Sequence, residues 1–481
     1  MSPADPPSHA YPPPAGRLYR GHVFHVAGAA TLATARQHLV SLPDGVLAVD
    51  GDGDIAWVGE HPRLPPAYAG WPVERADYLL PGFVDAHLHY PQTFAVDAYG
   101  GGQLLEWLER CIFPAEAELA DPGTAALVAE EFVRRRSAAG TTTALVFGSA
   151  FPHAQDALFT AHQEAGLRLI SGRGVQTVGS PAAGPLLTGE DQAVELVAAE
   201  IDRWHLADTG DVATALLQVA VVPRFSLSVT PRTLAALGEL YDSVRSRGVY
   251  FHSHLNENDR AGDGEIAAVR AAYGVRDYLD TYDGRFLPGS RRGGASFLGR
   301  RSVFAHAVHC SDAELARLAE TGSSIAHCPT SQQFLGSGTM PWRRTVAAGI
   351  AVAVGTDIGA GDEWMVPQVL NDAYKVHLSE PGEDSVALHP AELLFTGTLA
   401  GARALDLDQR IGNFEPGKNA DFVMVGVTGC EALARRLDHA SRAGSEVAVE
   451  QTLFALLMGL RESTLTDIYV HGRKIRPGPV R

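Results

Sequence analysis

Lysine is nearly missing from this chain. Of its 481 residues only Lys375, Lys418 and Lys474 are lysine, so the first 374 contain none. Cysteine is scarce as well. Cys111, Cys310, Cys328 and Cys430 are scattered and lack the paired spacing of a structural metal site, so structural disulfides are not expected and a reducing cytoplasm is. There is no run of about 18 apolar residues, which excludes a bilayer-spanning helix, and the N-terminus lacks the basic region and apolar core of a secretory signal. No membrane contact is expected. Positive charge is also in short supply: 39 Lys and Arg against 56 Asp and Glu leave a net charge of −17. Nucleic acid, whose phosphates demand a basic surface, is therefore not an expected partner. A small uncharged or cationic substrate is.

What the chain does have is ample core, with 46% apolar and 20% charged residues, as in soluble globular proteins. Its length suits one large domain and a smaller one. From Tyr78 to about Gly359, short apolar runs alternate with helical stretches. The runs are Leu79–His89, Thr142–Phe147, Leu167–Arg173, Leu216–Phe225, Val249–His254, Ser302–His309, Ser324–Cys328 and Ile350–Asp357. Between them lie amphipathic segments such as Asp121–Ser137, Asp191–Trp204, Pro231–Arg247, Gly264–Leu279 and Ser311–Thr321, several opening on an N-capping residue. Eight β/α units in series predict an α/β fold, a TIM-type (β/α)8 barrel over residues 77–410. A doubly wound sheet is the alternative, but no Gly-rich phosphate turn follows any strand. Residues 18–76 and 411–481 carry short strands between Gly, Asp and Pro turns, and both chain ends are expected to meet in one small β-sandwich domain. The pattern at Val447–Leu460 predicts a helix serving as core or subunit contact. Residues 1–17, rich in Pro, Ser and Ala, predict a disordered tail, and Asp283–Arg301 a long exposed loop.

Barrel sites are built at the C-terminal ends of strands, and polar residues gather there. The first strand ends in His87-Leu88-His89, whose alternate side chains share one face and can point at one metal ion. The fourth ends in Arg224-Phe225 and the fifth in His252-Ser253-His254, with Glu257 three residues on. His306 and His309 end the sixth, His327 the seventh and Asp357 the eighth. An isolated His-x-His is more often two unrelated histidines; six of eight strands ending this way is not. Imidazole suits zinc and also iron, and a catalytic zinc takes several protein ligands plus an open position. His87, His89, Asp357 and a histidine of the fifth strand could converge, although spacing alone does not choose between His252 and His254. Adjacent residues on a strand face opposite ways, so His327 and Cys328 are not a thiol–imidazole pair. Cys310 and Cys328 are expected as buried small apolar residues, and His153 and His309 as packing groups.

Eight segments carry a resemblance. They are PGFVDAHLHYPQ (81–92), LLEWLERCIFPAEA (104–117), PRFSLS (223–228), SHLNEN (253–258), SVFAHAVHCSDAEL (302–315), SIAHCPTS (324–331), GTDIG (355–359) and IGNFEPGKNADFV (411–423). In these the chain resembles deaminases of the amidohydrolase superfamily, and among them the guanine deaminases. The resemblance implies one divalent metal, normally Zn2+ with Fe2+ as the alternative, held by His87, His89, His254 and Asp357, with His306 touching the metal or its water. It implies that Glu257 shuttles protons, that Asp357 and His306 share in catalysis, and that Gln92, Arg224 and Phe225 line a purine site. His252 would be a neighbour and not a ligand. Trp107 would sit on a loop-helix over the pocket, or on a helix packed against the barrel. Two-metal relatives commonly bridge their ions with a carboxylated lysine from the fourth strand, and the missing lysines exclude such a bridge here. The implied reaction converts guanine to xanthine and ammonia, and a homodimer is common in the resembled family. Departures fall at Gln332-Gln333, where Asn and an apolar residue are usual, at Ala360–Met365, where two acids and Trp364 replace a Gly-rich loop, at Gln176–Gly184, and in the Arg-rich insertion at 285–301. They leave a rival substrate in view: an oxidised guanine, a pterin or an aminotriazine. A catalytically silent barrel scaffold is the rival of another class.

Overall fold

Four strands rich in β-branched and aromatic residues open the fold: β1 (Arg17–Val26), β2 (Leu39–Val49), β3 (Ile55–Glu60) and β4 (Val73–Pro81). This is a computed structural model, and it describes residues 16–475 apart from 97, 100–101, 260–263, 285–294 and 443. The expected tail lies outside the described residues except for its last two positions, as does most of the 285–301 insertion. Eight parallel strands follow: β5 (Phe83–His89), β6 (Thr141–Gly148), β7 (Arg168–Val175), β8 (Leu217–Pro223), β9 (Tyr250–Leu255), β10 (Ser302–His306), β11 (Ser324–His327) and β12 (Val352–Val354). Their order in the sheet is their order in the chain. Asp357 N donates to His87 O, and His89 N to Ile358 O, each at 2.8 Å, which ties the segment after β12 back to β5. The expected (β/α)8 barrel is thus the fold.

The ends of the chain combine as expected. The strands β13 (Phe422–Val425), β14 (Leu465–Val470) and β15 (Arg473–Lys474) join β1–β4 in one seven-stranded mixed sheet, ordered β15-β14-β13-β4-β1-β2-β3. Only β1 and β4 run parallel within it. Tyr19, Leu47, Phe422 and Tyr469 pack as its core.

Four expected boundaries move. Leu79–Pro81 belongs to β4, paired antiparallel with β13, so the first barrel strand begins only at Phe83. The eighth strand ends at Val354, which leaves Asp357 in the loop beyond it. Arg224, Phe225 and His309 likewise lie past their strands. The reason is burial: apolar content carries on through a buried turn, or runs on from a strand of the other sheet, so composition does not mark where pairing stops or changes. The expected exposure of 283–301 holds at Arg300 but fails at most of its described residues. Asp283, Ala295, Phe297 and Leu298 are buried, Phe297 stacking on Phe251 at 4.4 Å.

The helices Pro122–Ala138, Pro231–Val244 and Asp312–Thr321 start where capping predicts. The side chains of Asp121, Thr230 and Ser311 accept from the backbone N–H three residues on. The expected helix 264–279 is shorter, Glu265–Tyr273. Ser445–Gly459 is a helix whose Leu453, Leu456 and Leu457 are wholly buried, so it serves the core. No described helix is long and apolar enough to cross a membrane.

Candidate active site

β5 carries an extra residue against β6 between Asp85 and Leu88. Such a bulge re-aims side chains. Val84 and Ala86 pack with Leu145, Ile170, Val222 and Val303 as the filling of the barrel, while Leu88 joins the outer core. His87 and His89 are thereby turned to the mouth, where other strand ends deliver His254, His306 and Asp357. His87 Nε2 lies 3.1 Å and His89 Nε2 3.3 Å from Asp357 Oδ1. His254 Nε2 is 3.3 Å from His89 Nε2, and His306 Nε2 is 3.8 Å from Asp357 Oδ2. His87, His89, His306 and Asp357 are buried but for a few per cent of their surface, and His254 is partly buried.

The hydrogen-bond partners fix which nitrogens carry protons. His252 Nδ1 lies 2.8 Å from the carbonyl of Val303, a pure acceptor, so Nδ1 donates and Nε2 is bare. That bare Nε2 sits 2.8 Å from His87 Nδ1, which must then be the donor. His87 Nε2 is left with its lone pair and no hydrogen-bond partner. In the same way His254 Nδ1 donates to Arg224 O at 2.6 Å and leaves Nε2 bare. Burial holds these rings neutral: His252 and His254 are pushed well below the usual histidine range, His89 to about 4 and His306 to about 3. The bare Nε2 of His87 thus faces a carboxylate at hydrogen-bond distance with no hydrogen between them, and the bare Nε2 of His254 points at His89 Nε2. That arrangement is repulsive by itself and fits a cation. Of the two strand-five histidines, His254 faces the cluster and His252 backs it.

Next to the cluster stand two buried carboxyls. Glu257 Oε2 lies 3.4 Å from His306 Nε2. Burial, with Glu265 and Asp357 nearby, pushes Glu257 well above the usual carboxyl range, which favours its protonated form. Glu265 accepts from the backbone N–H of Glu257 and Asn258, at 3.1 and 3.2 Å, and from Tyr278 Oη at 2.7 Å. It pins the turn that presents Glu257, and nothing in its local sequence distinguishes it.

A cavity of about 390 Å³, counted to its open mouth, reaches this cluster. Gln92, Arg224, Phe225 and Trp107 line it with Leu104, Leu108 and Leu335. Trp107 is therefore both buried and on the cavity, its Nε1 donating to Ala98 O at 2.9 Å. Glu116, passed over in the sequence, organises the polar wall. It receives Arg224 Nη1 at 2.6 and 2.7 Å and Gln92 Nε2 at 2.8 Å. Gln92 Oε1 accepts from Gly359 N at 3.0 Å, so one amide hydrogen of Gln92 is left for a ligand. Glu116 stands among Glu106, Glu109 and Glu118 in its helical stretch, and only its burial sets it apart.

Other candidates point elsewhere. His327 faces away from the barrel axis to His377, Nε2 to Nε2 at 3.0 Å, beside Trp342. His309 bonds Ser337 O and His153 bonds Leu119 O. Cys328 is buried as expected, but its sulfur lies within 4.8 Å of ligand atoms of His87 and Asp357, which strand alternation did not suggest. Trp364, read as a departure bearing on specificity, does not line the cavity; it packs edge-on against Phe132, 5.7 Å between centroids. Gln332 is buried with its amide near His306 O, and Gln333 is exposed.

Comparison with known proteins agrees with this geometry. The profile of the Amidohydrolase family matches residues 78–449. A probable guanine deaminase of Deinococcus radiodurans is 39% identical over 453 residues, 92% of this chain and 95% of that one. Among solved structures, Escherichia coli guanine deaminase superposes with a TM-score of 0.81 at 31% identity, covering 96% of this chain and 99% of that one. The Bradyrhizobium japonicum guanine deaminase gives 0.84 at 27% identity with the same coverage.

Proposed function

This chain belongs to the amidohydrolase family, and on that premise we propose that it hydrolyses guanine to xanthine and ammonia with one divalent cation, zinc before iron. The observation that carries the reading is the convergence of His87, His89 and His306 on Asp357, the bare Nε2 of His87 facing it, beside the buried carboxyl of Glu257. Its relatives named guanine deaminases support the choice of ring. The cation would be held by His87, His89, His254 and Asp357, with His306 at the water; four imidazoles and a carboxylate are a donor set that zinc accepts. A cation bound there supplies acidification of water, from a pKa near 16 to about 7.

The chain's own residues do the rest. Arg224 and the free amide hydrogen of Gln92 donate to the purine edge, and Phe225 offers its ring face. Asp357 takes the proton of the water as its oxygen bonds to C2. Glu257 gives its proton to ring nitrogen N3, so that charge does not build on the ring. Asp357 then delivers a proton to the exocyclic nitrogen, the C2–N bond breaks and ammonia leaves, while the hydroxyl proton on C2 returns to Glu257 as the C2=O bond forms. Leucines at 104, 108 and 335 keep bulk water from the ring.

No observation favours the rival ring, since Trp364 is packed in the core. A silent scaffold has no use for a buried bare nitrogen of His87 facing the Asp357 carboxylate, an arrangement that costs stability unless filled. Ammonia release across a panel of purines, pterins and triazines, with metal analysis of the same sample, tests the reading. Guanine should rank first with about one equivalent of metal; guanine far below another ring, or metal under about a tenth of an equivalent, overturns it. The same reading takes the protein as a cytoplasmic homodimer. Its four free cysteines are in keeping with a reducing compartment, and sedimentation velocity tests the dimer.

A further inference from the structure

The polar wall of the cavity is an ion pair, not a lone cation. Arg224 and Glu116 are buried together, their side chains 6% and 5% exposed. Arg224 Nη1 makes both contacts to the carboxylate, and among the described residues no protein acceptor is recorded at Nη2 or Nε. The Phe113 ring backs the guanidinium at 5.4 Å, and Glu116 also fixes Gln92, whose far oxygen is held by Gly359 N. Glu116 does not itself line the cavity. It acts through the two residues that do.

We propose that Glu116 is a specificity-determining positioning residue: by neutralising Arg224 it makes the wall select a neutral amino-oxopurine and refuse an anionic one. The inference rests on the guanine reading and deepens it. An unpaired guanidinium in a dry cavity would hold the anion of an acidic oxopurine tightly, because charge–charge attraction is strong where water is excluded. The dioxo product of the reaction is more acidic than guanine, so such a wall would retain product. With Glu116 behind it, Arg224 still donates hydrogen bonds but adds no net charge. A merely structural Glu116 would change affinity for all ring ligands alike. A charge-balancing one changes the preference between neutral and anionic rings.

The test compares Glu116→Gln and Glu116→Asp with the wild-type holoenzyme at pH 7.5. Competitive inhibition constants are measured for hypoxanthine, which is neutral at that pH, and urate, which is a monoanion. The ratio of the urate constant to the hypoxanthine constant should fall at least ten-fold in Glu116→Gln and stay near wild type in Glu116→Asp. The bound cation is common to all three proteins, so the change in ratio reports the wall. An unchanged ratio in Glu116→Gln, or an equal fall in Glu116→Asp, overturns the proposal. Should Glu116→Gln fail to fold, the wild-type protein decides. Calorimetric titration with xanthine in two buffers of different ionisation enthalpy should show proton uptake matching the ionised fraction of free xanthine, and no uptake overturns the proposal. Wild-type protein that releases no ammonia from guanine removes the functional reading and this inference together. Guanine turnover with an unchanged ratio removes the inference alone.

Discussion

His252 Nε2 lies 2.8 Å from His87 Nδ1, and this contact sets which nitrogen of His87 faces the site. The chain of donors runs from His87 through His252 to the carbonyl of Val303 on the neighbouring strand. The backbone of β10 thereby dictates the tautomer of a side chain on β5.

Breaking that relay should weaken the metal and not the fold. His252→Phe keeps a ring of similar size beside Phe147, 4.8 Å away, but removes the acceptor for His87 Nδ1. Zinc affinity measured by chelator competition should fall about 10–100-fold. His252→Asn, which restores an acceptor, should recover part of the loss.

Glu257→Gln keeps shape and hydrogen bonding but cannot give up a proton to the ring. Turnover should fall about 10²–10⁴-fold with metal content unchanged. Near-normal turnover would remove Glu257 from the proton path.

Asp85 is the strut behind the proposed ligands. Its buried carboxylate accepts from Thr356 N at 3.1 Å, Thr356 Oγ1 at 2.6 Å and His87 N at 3.2 Å, joining β5 to the loop that carries Asp357. Asp85→Ala leaves those donors buried without a partner and should cost about 2–4 kcal/mol in denaturant unfolding. Bound zinc should drop in the same variant, because His87 and Asp357 both lose their support.

The end sheet should carry an acid sensitivity. His22 stacks on Phe24 and Tyr78, at 4.2 and 5.4 Å, and burial lowers it from 6.5 to about 4. Because the folded pKa is depressed, its contribution to stability is fully present above pH 6.5 and is lost as pH falls from 6.5 towards 4. His22→Phe keeps the stack and removes the titration. Between pH 7 and pH 5 the variant's melting temperature should drop less than the wild type's, by on the order of 2 °C.

Much of this was legible along the chain. The eight apolar runs, their order and the capping residues at Asp121, Thr230 and Ser311 are local properties, and local physics decides them. So is the His-x-His, since a strand end puts both rings on one side. The missing lysines, too, rule out a lysine bridge without any coordinates. Tertiary structure alone told His252 and His254 apart, because both face inward and both give Nδ1 to a backbone carbonyl, and only what Nε2 meets differs: His87 Nδ1 for His252, His89 Nε2 for His254. It alone singled out Glu116 and Glu265, carboxylates that look like any others until burial and an arginine or a turn give them work. And it moved Trp364 out of the cavity and Cys328 towards His87 and Asp357. Composition and period report which way a segment prefers to fold; which buried group meets which depends on contacts between residues far apart in the chain, and no local signal encodes them.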